Sequence, residues 1–189
     1  AAVEEALRAL GRLGVQPVPV ELPSLRLTIP AGFTILTADA GAGRGQLVAE
    51  RPGDVVPETR QLIELGAIMP ARWVDAAQRA RALFRAEVRA VFLENRLDAL
   101  VTPTLPLTAM PLAEMVIHTD MPRYIPFTLP WNLTGQPALS VPCGLSPEGL
   151  PVGLQLVGRP FDEVTVLRLG HAYQGVTDWH TRRPPLAGA

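Results

Sequence analysis

Apolar residues at the start of the chain repeat at helical intervals. Val3, Leu7, Leu10 and Leu13 share one face, with Glu4, Glu5, Arg8 and Arg12 mostly elsewhere. Gly14 follows as a helix stop. The next stretch, VQPVPVEL, alternates valines with other residues and predicts a short edge strand, since its prolines cannot donate to a central ladder. Ile29 to Ala40 is apolar and runs into GAGRG, which with the residues after it predicts a flexible loop over 41–54. Asp54 stands where it could cap a helix from Pro57 to Met69, stopped by Pro70. A longer helix follows to Arg96, with Trp73, Ala77, Ala80, Phe84, Val88 and Val91 at three- and four-residue steps.

The second half reads differently. LDALVTPTLP is an apolar run stopped by prolines and predicts a buried strand of a mainly parallel sheet. Pro103, Pro106, Pro111 and Pro122 predict an ordered but irregular loop over 103–124. ALSVPCG and VGLQLVG, joined by LSPEGLP, predict a hairpin. Asp162 caps a last helix to Gln174, and residues 180–189 predict a frayed tail. The whole is one α/β domain over 1–189, a mixed β-sheet flanked by helices.

Composition narrows the function classes. With 17 basic and 18 acidic residues the net charge is −1, which gives no electrostatic reason to expect nucleic acid or an anionic membrane as partner. No apolar run reaches the roughly 18–20 residues needed to span a bilayer. Cys143 is the only cysteine, so no internal disulfide forms, and a reducing, cytoplasmic location is expected. The sequence opens without Met and without the flank of a secretory signal, so a piece of a longer polypeptide is expected. Every basic residue is Arg; there is no Lys, and Ser occurs only at 24, 140 and 146. The row Arg79, Arg81, Arg85 and Arg89 reads as a solvated helix face.

Candidate chemistry is sparse. His118, His171 and His180 are scattered without metal-ligand spacing, so no metal and no cofactor is expected. GAGRG has Gln46 where a phosphate cradle would need its third glycine. Cys143 reads as a small residue ending a buried strand. Ser140 lies inside a strand, without the strained turn that exposes a nucleophilic serine, so its hydroxyl should satisfy a local hydrogen bond. Asn132 is expected to bond backbone at the turn before ALSVPCG, and Gln155 is a buried-strand amide in need of partners.

Four segments in order, LDALVTPTLP, PWNLTGQPALSVPCG, GLPVGLQLVGRPFDEVTVLRLGHAYQ and WHTRRP, closely resemble the carboxy-terminal half of the amidase signature family. The match runs from about Ala99 to Pro184 and extends more loosely back through PARWVDAAQRARALFRAEVRAVF. The resemblance implies the carboxy-terminal part of that family's α/β/α fold. Its members cleave or transfer carboxamides with a nucleophilic Ser, a second Ser and a Lys, which lie in a glycine- and serine-rich region upstream of the matched part. This chain holds neither that region nor a lysine, so it is expected to contribute no catalytic residue. The resemblance implies the downstream portion of an amidase that hydrolyses carboxamides to carboxylic acid and ammonia. Its partners would be a small-molecule amide and the upstream half of the same protein, and an exposed sheet edge suggests a homodimer if the piece stands alone.

Substrate choice is where this chain departs from one branch of the family. Members that amidate glutamyl-tRNA carry an Asp at the position of Ile125 and an Arg at the position of Leu62. The apolar replacements disfavour glutamine, and Ile125, Phe127 and Trp131 are the expected substrate-binding wall for neutral aliphatic or aromatic amides. The alternatives are the amidase subunit of a glutamyl-tRNA amidotransferase and an amidase-like scaffold that has lost its chemistry.

Overall fold

A computed structural model describes residues 1–184, and within them every side chain except those of Ile117 and His118. Residues 185–189, most of the expected tail, lie outside the described residues. The part of the tail that is described starts as a short turn over Trp179–Thr181, with the Arg182 guanidinium 3.8 Å from the Trp179 ring centroid.

Helices α1 (Ala2–Arg12), α2 (Thr28–Glu50), α3 (Pro57–Ala67) and α4 (Ala71–Glu94) precede strand β1 (Leu100–Pro103). Two short helices, α5 (Ile117–Tyr124) and α6 (Leu129–Thr134), lead into strands β2 (Ala138–Leu145) and β3 (Pro151–Val157) and the last helix α7 (Glu163–Gly175). The sheet order is β1-β3-β2 and both pairings are antiparallel. The α/β class with helices flanking a sheet is as the pattern predicts. The strand at 100–103 is also as expected, but its partner β3 runs antiparallel to it. β3 is paired on both sides, whereas β1 and β2 each have one partner among the described residues. The β2–β3 hairpin turns through Gly149 at φ 81°, with Ser146 N donating to Leu150 O at 2.7 Å. A register shift between Pro142 and Gly144 marks a bulge, and Pro142 is tolerated there because β2 is an outer strand.

The largest correction is at 41–54. Residues 28–50 form one helix of 23 residues, so the loop reading of 41–54 does not survive. Pro30 sits in the first turn, where its missing N–H costs nothing. Glycines at 32, 41, 43 and 45 each weaken α2 by about 1 kcal/mol relative to alanine. Packing compensates: Gly41 and Gly66 let α2 and α3 cross with their backbones in contact. Tertiary contact of this kind leaves no trace in local propensity. The residues after Glu50 make only a short turn over Pro52–Asp54.

Two smaller expectations also change. Residues 15–22 form no strand; Val20 and Leu22 pack instead against the cluster around Phe84. Asp54 caps nothing: α3 starts at Pro57 after Val56, and Asp54 pairs with Arg51 at 3.3 Å. Asp162 does cap α7, accepting from Thr165 N at 3.2 Å. The irregular loop expected over 103–124 is in part a helix: residues 117–124 form α5, with Pro122 inside it. The Asp120 carboxylate accepts from Val116 N at 2.8 Å, and Tyr124 Oη donates to Thr108 O at 3.1 Å.

Two layers of helix enclose the sheet. On one face Leu154, Leu156, Val141 and Cys143 pack against Ala6, Ala9 and Leu10 of α1 and Val166 and Tyr173 of α7. On the other, Leu100 and Val157 pack against Phe84, Val88 and Phe92 of α4 and Trp131 of α6. Phe84 is fully buried, worth about 2–3 kcal/mol of apolar transfer. Ala31 and Ile35 of α2 add an outer layer over Ala77 and Leu133.

Candidate functional site

The second face of the sheet changes character along its length. Leu100 lies opposite Val157, and both are buried beneath α4 and α6. Two residues further along, Thr102 lies opposite Gln155, and Ser140 lies opposite Gln155 on its other side. Facing residues of paired strands project to the same side, so Thr102, Gln155 and Ser140 form a polar row across all three strands. Thr104 extends it, its Oγ1 lying 2.6 Å from Ser140 Oγ. Gly153 lies between these hydroxyls, and a Cβ there would meet Thr104 Oγ1 at 2.7 Å and Ser140 Oγ at 2.9 Å.

Gln155 is the anchor of this patch. Its amide is 3% exposed, and burying it without partners would cost several kcal/mol. Nε2 spends its two protons on Thr102 Oγ1 at 2.9 Å and on Phe127 O at 2.6 Å. The second bond ties the turn between α5 and α6 to the middle of the sheet. That turn is closed by Ile125 O, which accepts from Thr128 N at 3.1 Å and Leu129 N at 3.0 Å. The expected wall residues therefore fall on one turn and the helix after it. Ile125 and Phe127 are half-buried. Trp131 is in the core at 4% exposure, its ring 6.3 Å from that of Phe84. Its indole Nε1 is buried and has no acceptor among the described residues.

The turn after α6 corrects one expectation. Asn132 is exposed, and its side chain makes no hydrogen bond among the described residues. Gly135 adopts the left-handed conformation at φ 75°, which a residue with a Cβ rarely takes, and it ends the helix. The next residue, Gln136, is 8% exposed. It accepts from Thr134 Oγ1 at 2.8 Å and donates to Gly158 O at 2.9 Å. Gln136 joins α6 to the end of β3, the role expected of Asn132.

The patch can bind and orient a polar group but has nothing that attacks. Ser140 Oγ has another hydroxyl as its partner, and no side chain bonded to it can take its proton. His171 is exposed on α7, and His180 is exposed in the turn after it. Cys143 is 2% exposed, and burial pushes its thiol pKa up, which keeps it protonated and unreactive. Among the described residues no group of His, Cys, Asp and Glu could hold a metal ion. No described helix is long and apolar enough to cross a membrane.

The profile of the Amidase family matches residues 1–167. The chain belongs to the amidase family. Across its whole length this amidase-family chain is 42% identical to a glutamyl-tRNA(Gln) amidotransferase subunit of Chloroflexus aggregans, covering 43% of that protein. It is 37% identical to an amidase of Pseudomonas putida, covering 41% of it. A crystal structure of an amidase superposes with a TM-score of 0.80 at 27% identity, over 92% of this chain and 41% of that one. The corresponding amidotransferase subunit of Thermotoga maritima superposes with a TM-score of 0.71 at 31% identity, over 90% of this chain and 37% of that one. The chain thus spans about two-fifths of the length of these relatives.

The polar patch comprises Thr102, Thr104, Ser140 and Gln155, with Gln136 beside it at the end of β3. Of its residues, sequence reasoning singled out Ser140 and Gln155 but not Thr102, Thr104 or Gln136. A signal for one of these was present: Thr102, like Gln155 opposite it, lies on one phase of a strand whose other phase is apolar.

Proposed function

We propose that this chain supplies the carboxy-terminal wall of an amide-cleaving enzyme. The attacking serines and the lysine base would be contributed by polypeptide outside these 189 residues. One observation carries this reading: an ordered patch of hydroxyls and a buried amide, in an amidase-family chain with no lysine and no base on its serine. In this role Gln155 holds the 125–129 turn through Phe127 O. Ile125 and Phe127 line the acyl side of the pocket, and Trp131 backs them from the core. Such a wall, without a charge at 125, suits neutral aliphatic or aromatic carboxamides.

The experiment is direct. Full-length protein should release ammonia from simple carboxamides, while the 189-residue chain should release none. Failure on every aliphatic and aromatic amide tried would count against an amidase. Turnover by the short chain would contradict the assignment of the attacking groups elsewhere.

A second reading, the amidase subunit of a glutamyl-tRNA amidotransferase, is favoured by identity: 42% to a protein of that kind, 37% to an amidase. Against it stand Ile125 and Leu62, which offer no charge to a substrate amino group or carboxylate. Glutamine- and tRNA-dependent activity in a co-purified complex would support it over the first.

A further inference from the structure

An open cavity of about 440 Å³ lies between α4, the end of α6 and the segment after β3. Three arginines are among its lining residues, Arg85, Arg89 and Arg159. None of its ten lining residues is Asp or Glu. Neighbours on the same helix are spent otherwise. Arg79 is paired with Asp75, and Arg81 Nε donates to Leu133 O at 2.7 Å. Among the described residues Arg85 and Arg89 make no ion pair. They stand four apart on α4, the spacing at which like charges repel. Arg159 comes from another element; it donates to Leu97 O and pairs with the exposed carboxylate of Asp98 at 3.6 Å. Thr134 and Gln136 close one side, already bonded to each other. Phe92 supplies an apolar wall.

A solvated row accounts for one helix face. It does not account for arginines from two elements lining one concavity that has no Asp or Glu in its lining. We propose that Arg85, Arg89 and Arg159 form a recognition site for a carboxylate or phosphate group. Guanidinium forks match such oxyanions bidentately, and the partly apolar wall favours an anion with a small hydrocarbon part. The oxyanion comes from one of two sources, a free small molecule or an acidic side chain of the protein beyond this chain.

The test uses full-length protein and the variants R85Q, R89Q and R159Q. Glutamine keeps helix propensity close to that of arginine, so charge is what changes. Inorganic phosphate and butyrate are titrated by calorimetry and by thermal shift, against chloride at matched ionic strength. Saturable binding that each variant weakens about tenfold identifies a free anion. No binding, but a melting temperature lowered in R85Q and R89Q without any added anion, identifies an internal carboxylate. Both outcomes support the site. With no oxyanion present, removing one of three like charges relieves repulsion. Melting temperatures that stay level or rise in R85Q and R89Q, together with no phosphate or butyrate binding, overturn the proposal.

Discussion

Gly41 of α2 and Gly66 of α3 touch through their backbones. A Cβ on Gly66 would overlap Thr37 O, and a Cβ on Gly41 would overlap Ala67 N. The crossing positions the outer helical layer, because Ala31 and Ile35 of the same α2 pack over α4 and α6. Gly66→Ala should therefore destabilise the protein by about 3 kcal/mol, since backbone must move to admit the methyl group. Gly43, on the exposed side of α2, has nothing within 4 Å of a Cβ, so Gly43→Ala should stabilise by about 0.5–1 kcal/mol. Chemical denaturation of both variants checks the pair. Equal effects would mean that the crossing is not tight.

The same crossing shows what the sequence could and could not disclose. GAGRG carries glycines that argue against helix, and the deciding contact is with Gly66, some 25 residues away in sequence. Nothing local reports it. Patterns that bury their own periodicity were legible: the α4 stripe through Ala77, Phe84 and Val88, the β2–β3 hairpin, and the Asp162 cap. Of the site, Gln155 was visible as a buried amide, but its partner Phe127 O belongs to a turn fixed only by the tertiary fold.

Gln155→Leu should remove the bond to that turn and leave Phe127 O and Thr102 Oγ1 without their donor. A stability loss of about 1–3 kcal/mol is expected. In the full-length enzyme KM should rise more than kcat falls, since the wall moves while the attacking groups stay. Steady-state kinetics on a neutral carboxamide measure the split. A pure loss of kcat would place Gln155 in the chemistry itself.

Ile125→Ala and Phe127→Ala should each lower kcat/KM for a bulky aliphatic or aromatic amide by about 10–100-fold, and far less for the smallest amides. Parallel losses for large and small substrates would remove these side chains from the pocket. Ile125→Asp should penalise neutral amides and spare substrates that carry an amino group.

Cys143 and Tyr173 share the core beneath α1 and α7, and burial raises the pKa of both. The sign follows: the unfolded chain ionises first, so their contribution is complete below the ordinary thiol range near pH ~8.5 and is lost as pH rises beyond it. Thermal melts should be level from pH 7 to 8 and fall above. Cys143→Ala should shift the onset of that fall toward the tyrosine range. An unchanged onset would show that the thiol plays no part.

β3 is paired on both sides, while β1 and β2 each have one strand partner among the described residues. Anyone grafting this region onto another scaffold would be moving a plug with a finished centre and two adhesive flanks. Where it seats is decided by whichever backbone reaches those flanks first, and a transplant succeeds only if the host brings strands to both.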